Sequence, residues 1–151
     1  MNQAFDITTT SRKVLLQFLQ GYTLEQLNKI PEGYSNNLIW NIGHIVVVQQ
    51  MLVYKLSGLP MIVSEQMVEK YKRGSRPVQD ATQADADEIQ SLLFETINKT
   101  KTDFASKVFN SYQAFTTMTG FTIQNAEEAM SFNIYHEAFH TGVMMSIRKF
   151  I

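Results

Sequence analysis

No cysteine occurs among the 151 residues, which excludes disulfides, thiolate metal ligands and a cysteine nucleophile together. Any metal this chain holds is therefore held by nitrogen or oxygen. An excess of one charge is missing too. The 13 basic and 14 acidic side chains leave a formal charge of −1, and the basic ones are scattered, so the electrostatic footprint of a nucleic-acid binder is not found. Apolar runs such as Ile45 to Val48 fall far short of the roughly 20 residues that a membrane span requires. Met1 to Asp6 carry no basic stretch leading into an apolar one, so no secretory signal is read there. The expectation is a cytoplasmic protein with neither membrane nor nucleic acid as partner. There is no glycine-rich phosphate loop and no internal repeat. Only three prolines occur, at 31, 60 and 77, and each falls between segments of helical period, leaving those segments unbroken.

What is present reads as helix. Val14, Leu15, Phe18 and Leu19 recur at helical spacing before Gly21, behind possible caps at Thr8 to Ser11, with a start as far back as Ala4. Thr23 and Gln26 make a capping box for one or two turns ending at Pro31. Ser35 or Asn36 is placed to cap a mostly apolar helix over about 37–57, stopped by Gly58-Leu59-Pro60. Ser64 caps a short piece from Glu65 to Tyr71. The basic stretch that follows carries Lys72, Arg73 and Arg76, with Lys70 just before it, and is read as a solvated loop in preference to an anion-docking one. Thr82 caps a helix with Asp85, Asp87 and Glu88 in its first turns and a stripe of Ile89, Leu92, Leu93, Thr96, Ile97, Thr100 and Phe104. Residues 107–120 lack a period and read as irregular, although Tyr112, Phe115 and Phe121 suit a bundle end or a short hairpin. Thr122 or Asn125 then opens a last helix running nearly to Ile151. Four long helices with short accessory pieces over 1–151 predict a single all-α domain of the four-helix-bundle class.

All three histidines fall on long helices. His136 and His140 stand four apart, so on a helix they stack about 6 Å apart on one face and can share one metal ion. They belong to the spacing Ala129, Phe132, Asn133, His136, His140, Val143, Met144 and Ile147, which faces inward. His44 belongs to a similar stripe with Trp40, Asn41, Val47, Val48 and Met51. A single histidine on an apolar stripe is more often a hydrogen-bonded core residue than a ligand. A buried imidazole without a partner costs on the order of 1–3 kcal/mol, however, and with every histidine of the chain so placed a shared metal becomes the better reading. Three neutral imidazoles would leave an open position for water or substrate, and zinc or nickel suits them, with copper or iron as further candidates. Asn41 and Asn133, each three residues before a histidine, are candidates to orient a ligand ring or contact a bound water. Trp40, Tyr135 and Phe139 are candidate pocket residues, against the plainer reading of core aromatics.

His136-Glu137-Ala138-Phe139-His140 matches the zinc-peptidase pattern H-E-x-x-H literally, but only eleven residues follow, none of them His, Asp or Glu, so the downstream third ligand is missing. Glu137 lies about 100° around the helix from His136, which favours solvent while leaving it a candidate catalytic acid or base.

The combination Trp40-Asn41-Ile42-Gly43-His44, then Tyr135-His136-Glu137-Ala138-Phe139-His140-Thr141-Gly142 and Arg148, resembles the DinB family across essentially the whole chain. The resemblance implies a bundle in up-down-down-up order, a divalent metal on His44, His136 and His140, and a homodimer. It also implies a small-molecule substrate and, as in relatives that use bacillithiol, mycothiol or glutathione, a low-molecular-weight-thiol transferase. The alternatives are a non-catalytic, stress-responsive metal-binding dimer and a hydrolase using Glu137.

Overall fold

The interior helices start where a short polar side chain satisfies their free N–H groups. The computed structural model describes residues 1–151. Its helices are α1 (Asn2–Gly21), α2 (Leu24–Asn28), α3 (Leu38–Val53), α4 (Glu65–Tyr71), α5 (Gln83–Ala105) and α6 (Ala126–Ile147), with 3₁₀ turns at Lys55–Ser57 and Arg148–Phe150. Thr23, Ser64 and Thr82 cap α2, α4 and α5 as their spacing predicts. The cap of α3 is Asn37 rather than Ser35 or Asn36. Its side-chain oxygen accepts from the Trp40 N–H at 2.9 Å, and its amide donates to the Asn28 carbonyl at 2.9 Å, so one residue both starts α3 and ties it to α2. Asn125 caps α6, while Thr122, the other candidate, lies in a strand.

The four long helices form the bundle, and pairs of residues from their ends give its directions. Phe5 near the start of α1 meets Phe104 near the end of α5, ring centres 5.7 Å apart, so these two run antiparallel. Gln49 of α3 donates to Thr100 of α5 at 3.0 Å, and the Tyr54 hydroxyl just past α3 donates to Asp103 at 2.7 Å, so α3 and α5 run in the same direction. Phe5 clusters with Ala126, Ala129 and Met130 at the start of α6, while Leu15 and Phe18 cluster with Met144 and Ile147 near its end, making α1 and α6 parallel. The order is up-down-down-up, as expected.

Helix α3 is buried on nearly every side, Val48 and Met51 excepted, which accounts for its unbroken apolar character. Its two interior glutamines are satisfied within the core. Gln49 holds Thr100, Gln50 donates to Gln49 at 2.9 Å, and the Gln50 side-chain oxygen accepts from the Ile62 N–H at 3.1 Å. The segment after α5 stays irregular as far as residue 114 and then folds into a hairpin of β1 (Phe115–Thr116) and β2 (Thr122–Ile123), with Phe115 opposite Ile123. Tyr112 closes that end of the bundle, donating to the Leu52 carbonyl at 3.0 Å. No helix is long and apolar enough to cross a membrane.

Candidate metal centre

α3 and α6 pack against each other in opposite directions, which brings His44 beside His136 and His140. The imidazole ring centres lie 4.5–5.1 Å apart, and one nitrogen from each ring falls within 4.8 Å of the others. Hydrogen bonds fix two of the tautomers. His44 Nδ1 lies 2.6 Å from the Tyr71 carbonyl, which only accepts, so Nδ1 carries the proton and Nε2 a lone pair. His140 Nδ1 lies 2.8 Å from Asn41 Oδ1. The Asn41 amide nitrogen donates to Asn36 Oδ1 and to the Asn37 carbonyl, which leaves its oxygen as the acceptor, so His140 also keeps its proton on Nδ1.

The Nε2 atoms of His44 and His136 face each other at 3.3 Å. In the metal-free site His136 Nε2–H donates to the His44 lone pair. Zinc–imidazole bonds of about 2.0–2.1 Å at tetrahedral angles separate two ligand nitrogens by roughly 3.3–3.4 Å, so this pair has ligand spacing. With the third nitrogen within 4.8 Å, the donor set suits a divalent ion once that proton is lost. Electrostatics agree with that fit. His136 is lowered to about 2 by burial, by the two neighbouring imidazoles and by Arg12, and His140 to about 4 by burial and by His44. Burial also lowers His44, against the opposing effect of its bond to the Tyr71 carbonyl. All three rings are neutral at pH 7, as ligation requires.

The three histidines lie in the wall of a cleft of about 500 Å³, within the size range of small-molecule sites. Trp40, Tyr135 and Phe139 line it, so the aromatic candidates of the sequence are wall residues. Trp40 stacks on His44, ring centres 4.7 Å apart and planes 13° from parallel. The two asparagines separate in role. Asn41 orients His140, whereas Asn133 turns away and donates to Glu137 Oε1 at 2.8 Å.

Glu137 corrects an expectation. It does not face solvent: only 1% of it is exposed, and its Oε1 also accepts from Arg12 Nε–H at 3.0 Å, with Arg12 Nη2 at ion-pair distance, 2.9 Å. The true inward stripe of α6 runs through Asn133, Glu137 and Met144, and the histidines stand at its border, half-buried. Glu137 is absent from the cleft wall, so the candidate acid or base sits behind the centre, joining α6 to α1. Sequence spacing does not single out Arg12, because a lone arginine on an amphipathic helix ordinarily faces water.

Gly43 supplies the other unforeseen contact. A Cβ there would lie 2.7–2.8 Å from atoms of the Tyr71 ring, so the missing side chain lets α4 approach and bring its last carbonyl to His44. Gly43→Ala is expected to lower stability by about 1–3 kcal/mol through overpacking and to weaken metal binding about 10–100-fold by displacing the partner of His44. Gly142→Ala, with nothing within 4 Å, is the control and should instead gain about 1 kcal/mol from helix propensity. Thermal denaturation and zinc titration of both variants measure these effects.

Four helices in this order, with three histidines of two facing helices converging in one cleft, define a bundle protein with a candidate metal centre. The comparisons give the family. The sequence profile of the DinB superfamily matches residues 7–144, and the chain belongs to that superfamily. A solved structure, described as a conserved protein from Enterococcus faecalis, shares the fold with a TM-score of 0.68 at 12% identity, over 99% of this chain and 95% of that one. No curated protein matches.

Proposed function

We propose that this chain is a divalent-metal-dependent enzyme acting on a small molecule, specifically a low-molecular-weight-thiol S-transferase with zinc or nickel on His44, His136 and His140. The observation that carries the reading is the open cleft. Neutral imidazoles meet in the wall of a space large enough for a substrate, and no carboxylate lines it to close the site. A purely structural ion needs no such space, which weighs against the non-catalytic dimer. Hydrolysis with Glu137 as base gains no support from a carboxylate held by Arg12 and Asn133.

When bound, the metal would supply a Lewis acid able to lower the pKa of a thiol or a water. The chain's own residues do the rest. The Tyr71 carbonyl and Asn41 hold the Nδ1 protons of His44 and His140, aiming their lone pairs at the centre. Val48, Met51, Leu52 and Phe132 wall the cleft with apolar surface, which excludes water from a nucleophile and suits an apolar acceptor. A cytoplasmic setting and a homodimer belong to the same proposal.

Elemental analysis and calorimetry test it directly. One Zn²⁺ or Ni²⁺ per chain is expected, with affinity falling more than about 100-fold in His44→Ala, beyond the loss from an outer-sphere change. Turnover of a chromogenic electrophile should then require both metal and added thiol. A chain with all three histidines intact that takes up no stoichiometric metal would overturn the reading.

A further inference from the structure

The basic stretch between α4 and α5 is a solvated loop, as expected, but its charges divide in their surroundings. Lys70 pairs with Asp85 at 2.7 Å and Lys72 with Glu69, while Arg73 and Arg76 have no carboxylate within 4 Å. Those two arginines enter different walls. Arg73 lines the histidine cleft, and Arg76 lines a neighbouring cavity of about 520 Å³ on the other side of Trp40 and Gly74. Gly74, at φ 87°, takes the left-handed turn that parts them. The loop is tied to the site as well, because Trp40 Nε1 donates to Ser75 Oγ at 3.2 Å while Ser75 Oγ lies 2.8 Å from the Lys70 carbonyl and 2.9 Å from that of Lys72. Arg73 is the one formally charged side chain in the cleft wall at pH 7; no Asp or Glu lines it, and most of the remaining surface is aromatic, methionine or aliphatic.

We infer that the histidine cleft binds a small molecule with an apolar body and a single anionic group, and that Arg73 is the specificity-determining residue that takes the anion. A guanidinium matches the paired oxygens of a carboxylate or sulfonate in geometry as well as charge. Arg73 is solvent-exposed at the rim, so the pairing is a screened one of modest strength, and the apolar wall offers no second partner for an ionised group. The inference rests on the proposed function in treating this cleft as the substrate site, and it adds the chemical class of what enters.

The test uses metal-free protein, so that a carboxylate cannot be held by an ion instead. Trp40 is the sole tryptophan and is part of the wall, so its fluorescence reports occupancy. The probes are 4-phenylbutyrate, 4-phenyl-1-butanol and 4-phenylbutylamine, which share a body and differ in charge. The carboxylate is expected to bind roughly three- to tenfold more tightly than the alcohol, with the amine weakest and the preference shrinking as salt is added. In Arg73→Gln the carboxylate and the alcohol should bind alike; Arg73→Lys should keep part of the preference, and Arg76→Gln all of it. A wild-type chain that does not favour the carboxylate, or binds none of the probes at millimolar concentration, overturns the inference. So does a preference that survives Arg73→Gln or disappears in Arg76→Gln. Zinc uptake, measured separately, keeps the two failures apart: a chain without metal but with an Arg73-dependent preference would refute the enzyme and keep the anion site, and a chain that takes up zinc without that preference would refute the anion site and leave the enzyme to the turnover assay.

Discussion

Replacing Arg12 by Met is expected to remove about 3–5 kcal/mol of unfolding free energy, a large share of the 5–15 kcal/mol typical of a domain. The cause is what the substitution leaves behind. Glu137 is as buried as Arg12, and without the guanidinium its carboxylate would remain in the core with only the Asn133 amide as donor. The pair already leaves both Arg12 Nη atoms and Glu137 Oε2 without a hydrogen-bond partner, Nη2 meeting Oε1 only as an ion pair, so it has little redundancy to absorb a loss. Adding Glu137→Met should restore part of the stability, since no unpaired charge is then buried, although the Asn133 amide loses its acceptor at a cost of about 1–3 kcal/mol. The double variant should therefore be more stable than Arg12→Met alone. Urea titrations followed by circular dichroism measure both, with equal slopes showing that the native state is otherwise kept. A loss below about 1 kcal/mol in Arg12→Met would mean the pair is not held as described. Glu137→Gln separates this role from catalysis: a positioning carboxylate predicts altered stability, whereas a general base predicts an intact fold with turnover abolished.

The same pair joins positions that no local sequence pattern links. Caps, stops and periods are local, so Thr23, Ser64, Thr82 and the Gly58 stop located their elements closely. The three histidines were legible because they are rare here and stand on helices whose spacing sets a face. Which side of that face is the core was not legible from α6 alone. The helix carries apolar residues almost all round, including the exposed Tyr135, Phe139 and Met145, and it took Arg12 from 125 residues away to turn Glu137 inward. The fixed tautomers escaped for a similar reason. Asn41 is paired with a histidine on another helix, and the acceptor for His44 is a main-chain carbonyl of α4, which no side-chain pattern encodes. Arg73 belongs to the same class, because its loop has no period to set a direction and only the packing of Ser75 beneath Trp40 brings it to the cleft.

Acid should destabilise the metal-free protein well before its carboxylates titrate. An imidazole in the unfolded chain takes its proton near pH 6.5, whereas burial holds His136 and His140 neutral to about 2 and about 4, and lowers His44 as well. Between those limits the unfolded chain binds protons that the native chain refuses, so stability falls as pH falls and is level above about pH 7. His136 and His140 each contribute a slope approaching roughly 1.4 kcal/mol per pH unit and together should cost on the order of 3–4 kcal/mol between pH 7 and pH 5, with His44 adding in the same direction. Metal changes the outcome. Unperturbed imidazoles would release it near pH 6.5, but protons compete for the native site only at the lowered values, so the zinc-loaded protein should stay folded at pH 5 with its metal bound. Zinc at about 100 times its Kd contributes roughly 2.7 kcal/mol, and tighter binding contributes more. Urea titrations at half-unit steps from pH 7.5 to 5, with and without zinc, measure both effects. His136→Asn with His140→Asn should make the metal-free slope much shallower, because the two rings held neutral to the lowest pH are gone. A metal-free stability that stays level from pH 7 to pH 5 would mean that the imidazoles are not held neutral, and with that the electrostatic case for a metal centre would fail.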